Sequence, residues 1–252
     1  MHRPRPILVV GHPGHELQIH RWLETAQPRV FVLTDGSGAQ GPARTAACRT
    51  CLEAAGAEPG SVFGQLDDLS WYQALISGDA DPLLACGRAI LAEALRSRPA
   101  LIVSDGAEGY NPMHDLAFAL AEAVSRALAE RGLACERRSF PVAGPIRRDQ
   151  PVFELELDAA AVDRKLASAA AYPGLEGEIA ARLAEPGYDL ARERFFAPEP
   201  EPPPGWRPFY EQVGRERVTL GRYAAAIEHA RHVRPAIEAL RHELLEAAPA
   251  VG

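Results

Sequence analysis

The chain is poor in cysteine, lysine and long apolar runs, and each shortage excludes a class of protein. Four cysteines in 252 residues (Cys48, Cys51, Cys86 and Cys135) are too few for a disulfide-built scaffold. Cys48-x-x-Cys51 has no second pair to complete a zinc site, and it falls in a helical-looking segment. It therefore reads as buried helix-face thiols rather than a redox pair. No run reaches the roughly 18 apolar residues of a membrane-spanning helix. Lys165 is the sole lysine among 27 basic side chains, and 34 acidic ones leave a formal charge of −7. That balance argues against a nucleic-acid binder, because neutralising phosphates needs a basic face. The first residues run directly into a strand-like stretch with no secretory signal, so a cytoplasmic protein is expected.

What remains is an ordinary globular balance, 47% apolar and 24% charged, on a chain long enough to bury a sizeable core. Short apolar runs at 6–10, 29–33 and 100–104 predict buried strands, with another short strand near 61–64. Helical patterns at 16–26, 42–55, 82–96 and 116–131 alternate with them. That alternation predicts an α/β fold, a Rossmann-like and mostly parallel sheet flanked by helices. Weaker strands are expected at 137–142 and 152–157, and further helices at 159–171 and 223–247. Residues 197–208 carry six prolines in twelve positions and read as an extended connector. The expected organisation is an α/β domain over 1–196, with a proline-rich and helical extension, 197–252, packing on it.

Ligand sites in such sheets lie outside the carboxyl ends of the strands. Two polar loops follow strands directly, Gly11-His12-Pro13-Gly14-His15-Glu16 and 105–115, and both are expected to open onto one edge. Three of the eight histidines, His12, His15 and His114, lie in these loops. His12 and His15 are three apart at a turn, so both rings can face one point, with His114 arriving from another strand end. Three imidazoles with an open fourth position make a catalytic zinc site. The bland alternative is that these histidines cap helices and line loops. His229-x-x-His232 reads as a solvated helix face, and His20 as a helix-surface residue.

At these residues the chain resembles the PIG-L/LmbE-like zinc-dependent deacetylases, which hydrolyse N-acetyl groups of amino sugars on a Rossmann-like fold. The family's first motif, Ala-His-Pro-Asp-Asp-Glu, stands here as Gly11-His12-Pro13-Gly14-His15-Glu16. Its second, His-Pro-Asp-His, stands as Asn111-Pro112-Met113-His114. The resemblance spans roughly residues 5–175 and implies Zn2+, or another divalent metal, on His12, His15 and His114. The second ligand is an aspartate in the family, so histidine raises the charge of the centre by one. The family's general base falls on Gly14, and its second-motif aspartate on Met113, neither of which moves protons.

Relocated chemistry has candidates in the loop that presents His114. Glu108 is the first choice as catalytic base and Asp105 the second; Asp105 also reads as a turn-fixing or histidine-orienting residue. Glu16 is read either as orienting a ligand from behind or as pairing with Arg44. Arg44, where the family places an arginine near the substrate, reads as a substrate-binding group or an ion-pair partner. Tyr110 and Asn111 read as donors to an oxyanion or as loop-stabilising residues. Asp35 and Asp68 are placed to read sugar hydroxyls, and Trp71 and Tyr72 to stack on a sugar or pack in the core.

The expected function is a hydrolase, a zinc-dependent amidohydrolase acting as a deacetylase on an N-acylated sugar or related small metabolite. The alternative is the same fold with lost or altered catalysis, a metal-binding regulatory protein. A Rossmann-type nucleotide binder fits poorly: the glycines at 36, 38 and 41 do not form G-x-G-x-x-G after the first strand. The partner expected is a small molecule, with no nucleic acid and no membrane span, and self-association left open.

Overall fold

The computed structural model describes residues 4–38, 41–144, 147, 149–203 and 205–246. Ala39 and Gln40 of the glycine-rich loop, Pro204 of the proline-rich stretch, Ala247 of the expected last helix and the two chain ends lie outside the described residues. Five strands, β1 (Ile7–Val10), β2 (Arg29–Thr34), β3 (Glu58–Leu66), β4 (Leu101–Asp105) and β5 (Glu136–Phe140), form a parallel sheet in the order β3-β2-β1-β4-β5. The apolar runs read from the sequence form its centre. β1 is buried on both faces. Ile7 and Val9 join one core with Phe31 and Leu33, and Leu8 and Val10 join the other with Val30 and Val32. This two-residue alternation is what a strand covered by helices on both sides requires.

The helices are α1 (His20–Ala26), α2 (Thr45–Ala55), α3 (Asp68–Ser77), α4 (Asp81–Ser97), α5 (Pro112–Ala129), α6 (Ala159–Ala170), α7 (Glu176–Leu183), α8 (Phe209–Thr219) and α9 (Arg234–Glu246). One face of the sheet is covered by α3, α4, α5 and α9, whose Trp71, Ile90, Leu120 and Leu240 share a core. The other is covered by α1, α2 and α6, through Trp22, Leu23, Leu52 and Ala169. An antiparallel ribbon of β6 (Phe153–Glu156) and β7 (Arg192–Phe195) extends this second face. The residue after β7, Phe196, joins the ribbon to β5 by exchanging two backbone hydrogen bonds with Ser139, 2.8 and 3.0 Å. Among the described residues no helix is long and apolar enough to cross a membrane.

Several elements depart from the sequence expectations. The segment expected as a single helix from Glu16 opens with a 3-10 turn, His15–Ile19, before α1. Helix α5 begins at Pro112, four residues earlier than expected. Asn111 caps it by accepting the Met113 N–H at 2.9 Å, and Pro112 occupies the first turn, where a missing amide proton costs nothing. The expected helix 223–247 starts late: 223–228 are not helical, and His229–Val233 form a π turn that runs directly into α9 at Arg234. Pro235 accounts for the π turn, since its ring crowds the carbonyl one turn earlier and it has no N–H to donate. Two histidines expected at helix surfaces are buried instead. His20 Nε2 lies 2.9 Å from the Ser168 hydroxyl, and His232 Nδ1 accepts the Glu228 N–H at 2.9 Å. Helices α3, α7 and α8 and strand β7 had no counterpart in the sequence reading.

Candidate metal centre

The sheet order reverses between β1 and β4, which pair with Ile7 beside Ile102 and Val9 beside Ser104. Loops leaving adjacent strands at such a point diverge and open a crevice. Here Asp105, the last residue of β4, reaches across it and accepts the Gly11 N–H at 2.7 Å. This bond locks the start of the first loop, so His12 leaves directly above β1. His15 opens the 3-10 turn, and His114 projects from the first turn of α5, where the Asn111 cap sets it.

The three rings meet. Centroids lie 5.0 Å apart for His12 and His15, 5.7 Å for His12 and His114, and 4.6 Å for His15 and His114. One ligand atom from each lies within 4.8 Å of those of the other two. Behind each imidazole stands a different carboxylate. His15 Nδ1 is 2.7 Å from Asp105 Oδ2, His12 Nε2 is 2.9 Å from Asp68 Oδ1, and His114 Nδ1 is 3.4 Å from Glu108 Oε2. A carboxylate on the outer nitrogen of a ring is what metal-ligating histidines ordinarily have. The donor set therefore fits a divalent ion of imidazole preference.

Burial, and then the neighbouring rings, hold His15 well below the ordinary imidazole value, which keeps it in the neutral, ligating form. Burial likewise pushes Asp105 up to about 7. For Glu108 and Asp68 burial acts upward too. It is outweighed by the adjacent imidazole and by backbone N–H groups, and both carboxyls end below the usual range.

The remaining sequence candidates are placed as follows. Glu108 is engaged on both oxygens, accepting the N–H groups of Val142 (2.9 Å) and Ala143 (3.0 Å). Asp105 Oδ1 is buried and has no hydrogen-bond partner among the described residues. Glu16 is buried, accepts the Gly14 N–H at 2.8 Å and the Tyr172 hydroxyl, and bonds to no site imidazole and not to Arg44. Arg44 packs over Gly36, where a Cβ would lie 2.7 Å from its Nε and 2.9 Å from Pro13 Cδ. It comes only within 4.0 Å of Glu178, and its buried Nε has no partner among the described residues. Tyr110 stacks on His114 with centroids 6.3 Å apart and rings within 25° of parallel. The Asn111 oxygen serves the helix cap, with the Tyr72 hydroxyl 3.5 Å from it.

Trp71 is buried and donates Nε1–H to the Leu33 carbonyl, so it packs in the core, and Asp35 closes a turn on the Ser37 N–H. Burial raises both the Cys48 and Cys51 thiols. Asp68 is the contact that the sequence reading did not connect to a histidine. Asp67 accepts the Ser70 N–H at 2.6 Å and caps α3, so the Asp67-Asp68 pair before an aromatic run carried the signal of a helix start at the crevice.

Gly14, where the resemblance places the base, has φ of 107°, a conformation that strains any residue with a Cβ. A Cβ there would also lie 2.6 Å from Leu175 Cδ1, so Leu175 and Tyr172 fill the space a side chain would need. Gly14→Ala is expected to cost about 2 kcal/mol and lower Tm by about 4–8 °C. An unchanged thermal melt would contradict this placement.

No known family model matches the chain, and no curated protein matches it. Solved structures do. The A40926 pseudoaglycone deacetylase Dbv21 aligns over 78% of this chain and 97% of its own, at 17% identity and a TM-score of 0.51. The deacetylase of the teicoplanin biosynthetic pathway, in its complex with teicoplanin, aligns over 77% of this chain and 100% of its own, at 12% identity and 0.50. The conserved protein TT1542 from Thermus thermophilus aligns over 80% and 98%, at 19% identity and 0.49. The chain shares the fold of the PIG-L/LmbE-like deacetylases, the family whose motifs its two histidine loops resemble.

Proposed function

We propose that the protein is a metal-dependent hydrolase, a deacetylase that cleaves the amide of an N-acylated sugar or related small metabolite. The observation carrying this reading is the convergence of His12, His15 and His114, each with its own carboxylate behind it. These residues would hold Zn2+, which when bound supplies Lewis-acid polarisation of the acyl carbonyl and a water of lowered pKa.

The chain's own groups divide the remaining work. Asp105 and Glu108 face the Nδ1 atoms of His15 and His114, leaving each Nε2 for the ion, whereas Asp68 faces His12 Nε2 and leaves Nδ1. Three carboxylates also offset the extra positive charge that a third neutral imidazole leaves on the centre. Both Glu108 oxygens hold backbone N–H groups and Asp105 stands behind His15 with its Oδ1 buried, so these two carboxylates are read as orienting the ligand imidazoles rather than as the proton acceptor. Arg44, whose charge meets no carboxylate closer than 4.0 Å among the described residues, is the group proposed to bind a substrate hydroxyl or anionic group. The Tyr110 hydroxyl and the Asn111 side-chain amide N–H groups, whose oxygen alone serves the cap, are the candidate donors to an oxyanion.

Metal analysis of the purified protein combined with amine release from N-acetylated glycosides tests this. About one ion per chain is expected, with hydrolysis lost on chelation and restored by zinc. Full hydrolysis by metal-free protein, or no stoichiometric metal, overturns it. The filled space at Gly14 and the buried Met113 favour a second reading, a metal-binding protein of this fold without hydrolysis. Bound metal with no turnover across N-acyl sugars would select it.

A further inference from the structure

We propose that Tyr110 and Phe209 form an aromatic face at the rim of the histidine cluster that takes the apolar C–H face of a sugar ring. The proposal deepens the hydrolase reading by assigning a substrate subsite to residues that no motif contains. Tyr110 is 46% exposed and Phe209 51%, and their rings stack with centroids 5.6 Å apart and planes within 25°. Tyr110 in turn stacks on His114. The three rings thus form a continuous series from a metal-ligand candidate out to solvent.

Phe209 comes from the far side of the proline-rich stretch, and several contacts hold it there. Tyr210 donates its N–H to the Gly109 carbonyl at 3.1 Å, beside Tyr110. Trp206 and Pro208 close over Gly109 so tightly that a Cβ there would lie 2.6 and 2.8 Å from them, and Gly109 has φ of 64°. The extension therefore clamps the loop that carries Glu108 and Tyr110 and delivers Phe209 to the same spot. The stacked, half-exposed rings end in Phe209, whose outer surface leaves an apolar face in water that folding alone does not favour. Asn111, next to Tyr110 in the chain, keeps its side-chain amide N–H groups outside the cap, and the Tyr72 hydroxyl lies 3.5 Å from its oxygen. An apolar face with a few polar groups at its edge is the usual composition of a small-molecule site, and ring hydroxyls would meet those groups while C–H bonds meet the aromatics.

The test uses methyl β-D-glucopyranoside, which has no amide and is read by binding alone, in saturation-transfer NMR titrations. Phe209→Ala is expected to weaken binding about fivefold to tenfold. Phe209→Trp should retain it and Phe209→Leu should not, with metal content unchanged in all three. Equal affinity across the variants, or no binding by the native protein, overturns the proposal. So does a Phe209 dependence seen only with octyl β-D-glucopyranoside, which would assign the face to an alkyl chain. Loss of metal in Phe209→Ala would also overturn it, by making the ring a prop for His114. Because neither probe is hydrolysed, these outcomes are separate from failure of the hydrolase reading, which is judged by metal and turnover.

Discussion

His114→Ala is expected to strip the centre of its metal and abolish amide hydrolysis. Two of three imidazoles would remain, and the Glu108 carboxylate, 3.4 Å from His114 Nδ1, would face the gap. Substituting an outer partner of a metal ligand costs about 10–100-fold in affinity, and removing a ligand itself should exceed that range. The fold is expected to survive, because α5 is held by its Asn111 cap and by Leu116, Leu120 and Val124 in the core rather than by the imidazole. Competition with a chromophoric chelator measures the affinity, and far-UV circular dichroism checks the helices. Native-like metal binding and turnover in the variant would refute the centre as drawn.

Lys165→Met is expected to be the most damaging single change to stability. Lys165 and Glu193 are both buried, with Nζ 3.1 Å from the carboxylate and 2.8 Å from the Gln18 carbonyl. The Glu193 oxygens also accept the Arg21 and Trp22 N–H groups at the start of α1. The pair thus ties α6 and β7 to α1 and to the 3-10 turn that carries His15. Methionine fills the volume but leaves an uncompensated buried carboxylate, a loss of about 3–5 kcal/mol, or about 6–20 °C in Tm. Replacing Glu193 by leucine in the same chain should return much of it, since an apolar pair carries no desolvation penalty.

The pH dependence follows from the sign of the shift. Burial already holds Glu193 above its ordinary carboxyl value, and burial lowers Lys165. Without the ammonium the folded-state value of Glu193 rises further above the unfolded one. The penalty is then fully present above the folded value and fades as pH falls through it, because the neutral acid is what the interior tolerates. Denaturant melts of native and variant protein should converge toward acid. A difference that stays constant with pH would show that the ammonium's charge is not what stabilises this region.

How much of this was legible in the sequence depended on the range of the interaction involved. The buried strands announce themselves in runs such as Ile7–Val10, because a strand covered on both faces needs apolar residues at every position. The two histidine loops were legible for a related reason: each follows its strand directly, and alternating strands and helices imply a parallel sheet whose carboxyl edge collects such loops. Where local chemistry was misread, the fault lay in punctuation. Asn111-Pro112 is a cap followed by a first-turn proline, and reading it as loop placed His114 off the helix that carries it.

Which carboxylate meets which imidazole was decided only in three dimensions. Asp105 meets His15 across 90 residues, and Asp68, in the first turn of the helix after β3, meets His12 from the loop after β1. Glu108 looked like a free base in the sequence, yet the backbone N–H groups of Val142 and Ala143 occupy both its oxygens. The fate of the Gly14 position was settled in the same way, by Leu175 and Tyr172 arriving from beyond α6 to fill it. Strand periodicity and turn chemistry act over a few neighbouring residues, so composition and order were enough to determine the sheet and bring three histidines to its edge. Hydrogen-bond partners and filled space depend on which distant side chains arrive there, and that is known only once the chain has packed.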